Sequence, residues 1–115
     1  MPFFIVNTNA ELRTQNAQEF VEDAAQLIAQ ELHKPIGYVV VQYNYNPHMS
    51  FGGYQDNYGV LAELKSIGFA EKANLSRLLT EFLYGRLTNV DLNNINIEFT
   101  DIPASTLAIG GRMMG

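Results

Sequence analysis

Phe3 to Thr8 is a short apolar, β-branched run that opens after Pro2 and gives way to the polar Asn7–Asn9 region, a pattern that predicts a strand. The period then lengthens. Phe20, Ala24, Leu27, Ile28 and Leu32 fall on one helical face, and Asn16 with Glu19 has the spacing of a capping box at its start. Lys34-Pro35 stops this helix, because proline disfavours α geometry in the residue before it. Tyr38 to Tyr43 predicts a second strand, and a polar, glycine-containing stretch runs from Asn44 to Gly59. Val60 to Ile67 predicts a third strand. Leu75, Leu79, Phe82, Leu83 and Leu87 line a second helix, and Ile95 to Phe99 alternates as a fourth strand.

These segments repeat. Moving the first helical stripe by 55 positions turns 20, 24, 27, 28 and 32 into 75, 79, 82, 83 and 87. The predicted strand starts are 35 apart in each half, 3 to 38 and 60 to 95. Two β-α-β units in tandem, each with a parallel crossover, give a four-stranded sheet with two helices on one face. Strands such as Phe3-Phe4-Ile5-Val6 and Tyr38-Val39-Val40-Val41 are apolar on both alternating faces. The helices cover one face only, so the other is expected to be covered by further copies of the chain.

Composition narrows the function classes. At 115 residues the chain fits a single domain, 1–115. It has no cysteine, which excludes disulfides and thiol catalysis. Seven Lys+Arg against twelve Asp+Glu leave a net charge of −5, which argues against a nucleic-acid partner because the phosphates would go unneutralised. No apolar run reaches the length of a membrane helix, and the opening lacks the basic and apolar regions of a signal peptide, so a cytoplasmic protein without a membrane partner is expected. His33 and His48 have no acidic cluster beside them, so neither a metal nor any other cofactor is expected. Gly52-Gly53 and Gly110-Gly111 lack the lysine of a phosphate-binding loop, and Glu19 with Glu22 reads as a solvated helix face.

Pro2 carries the chemistry. A proline after the initiator methionine permits removal of Met1, which leaves a secondary amine at the chain start. A free α-amino group titrates near pH 8, and apolar surroundings or a nearby cation such as Lys34 lower that value. The product is a rigid amine, neutral at pH 7 and suited to general-base work. Proline is equally at home as the first residue of a strand, so residue type alone leaves both roles open.

The wording of the chain adds to this. Met1-Pro2-Phe3-Phe4-Ile5-Val6-Asn7-Thr8-Asn9, Lys34-Pro35, Phe51-Gly52-Gly53, Ser66-Ile67-Gly68 and Ser76-Arg77-Leu78-Leu79, in this order, resemble the macrophage migration inhibitory factor family of the tautomerase superfamily. The resemblance covers nearly the whole chain. It implies an α+β fold with a mixed sheet, assembled as a homotrimer with active sites at subunit boundaries. It also implies an isomerase, a phenylpyruvate tautomerase that interconverts keto and enol forms of small aromatic α-keto acids. Carried over by position, Pro2 is the catalytic base. Lys34 and the backbone N–H of Ile67 hold the substrate's carboxylate or carbonyl oxygen, while Tyr38, Leu107, Ile109 and Met114 shape the pocket for its ring.

The chain also departs from the family pattern. Asn96 stands where the best-known members carry a tyrosine; an amide donates a hydrogen bond but delivers no phenolic proton. Glu98 replaces an asparagine, and Ile109 and Met114 replace aromatic residues of the tail. Weaker or redirected turnover is the expectation. Two other functions compete with it. One is an interaction protein of cytokine type with vestigial activity. The other is a dehalogenase or hydratase of small unsaturated acids, against which the dispersed Arg13, Arg77, Arg86 and Arg112 speak.

Overall fold

The computed structural model describes residues 1–54 and 56–115; position 55, inside the polar stretch between the two halves, lies outside the described residues. β1 (Phe3–Thr8), α1 (Ala17–Leu32) and β2 (Val40–Tyr45) form the first half, β3 (Val60–Ser66), α2 (Lys72–Arg86) and β4 (Ile95–Asp101) the second. A two-stranded hairpin, β5 (Ala108–Ile109) and β6 (Arg112–Met113), ends the chain.

Local chemistry sets the boundaries. Asn16 Oδ1 accepts the Glu19 amide at 3.0 Å while Asn16 Nδ2 donates to Glu19 Oε2 at 3.4 Å, the reciprocal cap that the spacing predicts. α1 ends at His33, whose left-handed conformation (φ 55°, ψ 43°) turns its amide back to the Ala29 and Gln30 carbonyls. Pro35 then fixes φ at −60° and opens a single 3-10 turn over Ile36–Tyr38. Tyr38 therefore belongs to the turn rather than to the second strand, which begins at Val40 and continues to Tyr45. The third strand ends one residue earlier than its apolar run, at Ser66, and the fourth extends to Asp101.

The sheet order is β2-β1-β3-β4, with β1–β2 and β3–β4 parallel and the central β1–β3 pair antiparallel. This mixed four-stranded sheet joins the two β-α-β halves back to back. Phe4, Val6, Val60, Ala62 and Leu64 face the helices and are fully buried, against Phe20, Ala24, Ile28 and Leu32 of α1 and Leu75, Leu79 and Leu83 of α2. Every buried position of α1 thus has a buried counterpart 55 residues later. Leu87, the last of these, lies one residue beyond α2 yet is equally buried, and it makes an isolated bridge to Leu12. Burial of each such leucine stabilises the fold by about 1.5–3 kcal/mol before conformational entropy is charged against it.

The opposite face differs from the expectation of a second apolar surface. Phe3, Ile5, Val40 and Leu61 point that way, but so do Gln42, Asn44, Glu63, Lys65, Asn96 and Glu98. Reading run composition, rather than the strict alternation, overstates its apolarity. Both outer strands, β2 and β4, leave one edge unpaired among the described residues. No described helix is long and apolar enough to cross a membrane.

Candidate active site

The register of β1 sets the position of the chain start. Phe3 pairs with Val40 on one side and Lys65 on the other, so Pro2 enters between the end of β3 and the beginning of β2. Its carbonyl accepts the Val40 amide at 3.0 Å, and its ring is fully buried. One step beyond the last paired residues, Ser66 lies opposite Pro2. Ser66 Oγ is buried without a hydrogen-bond partner, the one such side-chain atom among the described residues. An unpaired buried hydroxyl is costly, and nothing in the sequence pattern marks it.

Met1 is 8% exposed and forms part of the wall of a cleft of about 290 Å³, with Tyr38, Ile109, Arg112, Met113 and Met114. Three elements bring these walls together. The 3-10 turn presents Tyr38, which is half exposed. The terminal hairpin supplies the others: Ile109 pairs with Arg112 across Gly110 (φ 61°) and Gly111 (φ 83°). A two-residue turn with positive φ at both positions has the twist that hairpins favour, and glycine adopts it without penalty. Leu107 anchors this segment, its carbonyl accepting the Met114 amide at 2.9 Å.

Burial pushes the Met1 α-amino group below its usual pKa, and the positive charge of Lys34 pushes it further the same way. Lys34 leaves the end of α1, and its Nζ donates to the Ile67 carbonyl at 3.3 Å. An ammonium is thereby held beside the segment that follows β3, near the chain start. The described residues hold no cluster of three or more metal-ligating His, Cys, Asp or Glu.

Three of the residues named from the sequence, Tyr38, Ile109 and Met114, line the cleft with Met1; Pro2 follows Met1 and is buried, and Lys34 and Ile67 are joined to each other outside the cleft lining. Asn96 does not join them within one chain. It is level with Leu61 and Asn7, five residues along the sheet from Pro2, roughly 16 Å at strand rise. Its Nδ2 donates to the Val60 and Asn94 carbonyls, both at 3.2 Å. Arg112 and Met113 are pocket residues the sequence reading missed. The available signal was Gly110-Gly111 between Leu107–Ile109 and Met113–Met114, a hairpin pattern.

Comparison with known proteins agrees with the fold and with the order of these segments. The family model for macrophage migration inhibitory factor matches residues 1–115. A macrophage migration inhibitory factor homolog from Brugia malayi is 36% identical over 119 residues, covering all of both chains. The factor from Rattus norvegicus is 32% identical over 113 residues, covering 96% of each. Among solved structures, that of the factor from Trichinella spiralis superposes with a TM-score of 0.84 at 28% identity, covering 96% of this chain and 98% of the other. A homologue from Prochlorococcus marinus, at 22% identity and a TM-score of 0.85, shares the fold over 98% of this chain and 99% of its own. A family-model match over residues 1–115, with relatives above 30% identity across at least 96% of the chain, leaves one conclusion: this chain belongs to the macrophage migration inhibitory factor family.

Proposed function

We propose that this chain is a keto–enol tautomerase of small aromatic α-keto acids such as phenylpyruvate, with Pro2 as general base once Met1 is removed. The observation that carries the reading is the chain start itself: the Met1 amine is held below its usual pKa by burial and by Lys34, and removal of Met1 would place the Pro2 amine one residue along in the same surroundings. Removal of Met1 frees the Pro2 nitrogen and vacates the volume that the methionine side chain fills. An α-keto acid entering that volume meets a neutral secondary amine, which takes the proton from the carbon beside the carbonyl. Negative charge then develops on the carbonyl oxygen, where the Lys34 ammonium and the Ile67 amide stabilise it. Return of the proton to oxygen or carbon completes the exchange, so no electrons or atoms are gained or lost.

The working unit we propose is a homotrimer. Two unpaired sheet edges and the exposed Val40 and Leu61 on the open face suit packing against further copies. Asn96 reaches a Pro2 in this arrangement only from a neighbouring copy, where its amide donates to the substrate. A hydratase or dehalogenase is less well supported. Arg77 and Arg86 are engaged with Glu81 and Asp23, and Arg112 alone among the arginines lines the cleft.

The test uses chain of verified mass beginning at Pro2. Ultraviolet absorbance of the phenylpyruvate enol follows turnover in this protein and in Pro2→Gly, which keeps an amine but loses its rigidity and placement. A fall of about 100-fold, at the low end for loss of a positioned base, is expected. Undiminished turnover in the variant removes Pro2 from the mechanism.

A further inference from the structure

The cations of this chain are unevenly committed. Of its seven Lys and Arg, four are held in ion pairs: Lys65 with Glu63, Lys72 with Asp101, Arg77 with Glu81 and Arg86 with Asp23. Three have no carboxylate within 4 Å among the described residues: Arg13, Lys34 and Arg112. One of these three, Arg112, forms part of the cleft wall with Met113 and Met114. Lys34 is not among the lining residues, but its charge acts on the Met1 amine at the chain start. No acidic residue lines that cleft, in a chain whose net charge is −5.

A guanidinium in this wall can stack on a ring or pair with an anion; its exposure and its lack of a protein carboxylate leave its donors free for the latter. Tyr38, Ile109, Met113 and Met114 already supply apolar walls, and Arg112 adds five donors that no carboxylate of the chain engages. Its place is fixed by the hairpin, opposite Ile109 across the Gly110-Gly111 turn, whereas Lys34 is tied to Ile67 beyond β3. We propose that Arg112 forms a second anion subsite, so that the favoured substrate is an α-keto acid with a second carboxylate at the end remote from the carbonyl. This rests on the tautomerase reading for its chemistry but not for its binding. One carboxylate meets Lys34 as a point charge; the other meets the planar fork of Arg112, whose geometry suits bidentate carboxylate contact. The two cations also offset locally the repulsion that an acidic chain exerts on a dianion.

Titration calorimetry with two non-enolisable acids separates the two ideas. The probes are 3-(4-carboxyphenyl)propanoate and 3-phenylpropanoate, added to chain beginning at Pro2 and to its Arg112→Ala and Arg112→Lys variants. The original chain is expected to bind the dicarboxylate about tenfold more tightly than the monocarboxylate. Arg112→Ala brings that ratio close to one, and Arg112→Lys retains part of it. A ratio near one in the original chain, or one unchanged by Arg112→Ala, overturns the subsite. Phenylpyruvate turnover is measured on the same samples. No turnover with an intact, Arg112-dependent ratio overturns the tautomerase reading and keeps the subsite; turnover with no ratio does the reverse.

Discussion

Replacing Lys34 by alanine removes two effects at once, and their directions differ in what they move. Lys34 Nζ is partly buried and 3.3 Å from the Ile67 carbonyl, so its ammonium has a fixed place near the chain start. A hydrogen bond to a charged partner contributes about 1.5–3 kcal/mol, and partial solvent exposure selects the lower half of that range. A loss of about 1.5–2 kcal/mol in transition-state stabilisation lowers kcat/KM for phenylpyruvate roughly 10- to 30-fold. The second effect falls on the base. Lys34 is the lesser of two causes depressing the Met1 amine, behind burial; acting the same way on a Pro2 amine one residue along, its loss in Lys34→Ala raises the pKa of the base without restoring the value of a free α-amine. The acid limb of the pH–rate profile therefore moves to higher pH. Lys34→Arg, which keeps the charge, leaves that limb near its original position while losing some rate through changed geometry. Enol absorbance across pH 5.5 to 8.5 reads both quantities. An acid limb that stays put in Lys34→Ala, or shifts to lower pH, refutes the placement of this charge beside the base.

Two further outcomes test the frame around the site. The chain-start amine has a lower pKa folded than unfolded, so between those values the unfolded chain binds more protons and stability rises with pH, levelling off above about pH 8. Urea midpoints at pH 6 and 8.5 should show this rise in the free chain, and N-terminal acetylation should remove that part of it; identical pH dependence with and without the acetyl group would count against it. Leu83→Ala, at a fully buried position, should cost about 3 kcal/mol, and Ile28→Ala, its counterpart in the repeat, a similar amount. Leu92→Ala, at a residue 53% exposed, should cost less than about 1 kcal/mol, so equal losses at Leu83 and Leu92 in urea unfolding would contradict the assigned core.

The fold was legible where one physical signal dominated. Helical period and a 55-residue offset identify ten positions: Phe20, Ala24, Ile28, Leu32, Leu75, Leu79, Leu83 and Leu87 are buried, while Leu27 and its counterpart Phe82 are partly buried against the core. Strand edges were less legible because apolarity and pairing end at different residues. Ile67 continues the apolar run of β3, but the left-handed Gly68 (φ 80°) directs the chain away, and Ser66 is the last paired residue. Tyr38 is similar: its aromatic, β-rich neighbourhood suggests a strand, whereas Pro35 and Gly37 fold it into a turn. The open face was overestimated for a related reason. Alternation assigns Glu63, Lys65 and Glu98 to it, and the apolar runs of β1 and β2 mask this because their composition is uniform on both faces over only a few residues.

The site depends on long-range geometry that a linear reading reaches only in pieces. Pro2, Lys34, Tyr38 and Ile67 lie at separate turns of the chain, and strand register rather than sequence spacing brings them to one end of the sheet. Resemblance named them, and the packing of Met1 gives their proximity a physical sense. Arg112 shows the complementary case. The Gly110-Gly111 pair before it marks a hairpin, but nothing local says whether Arg112, unlike Arg77 or Arg86, lacks a carboxylate partner. The difference appears only when ion pairs are assigned: Arg77 and Arg86 find carboxylates, while Arg112 is carried by the glycine turn to the wall of the cleft and finds none. A charge left without a protein partner at the mouth of an apolar cavity is a statement about what enters that cavity. On the proposed tautomerase reading, substrate preference depends less on the base, which any member opening with a buried proline would share, than on the short C-terminal hairpin that positions Ile109, Arg112 and Met114.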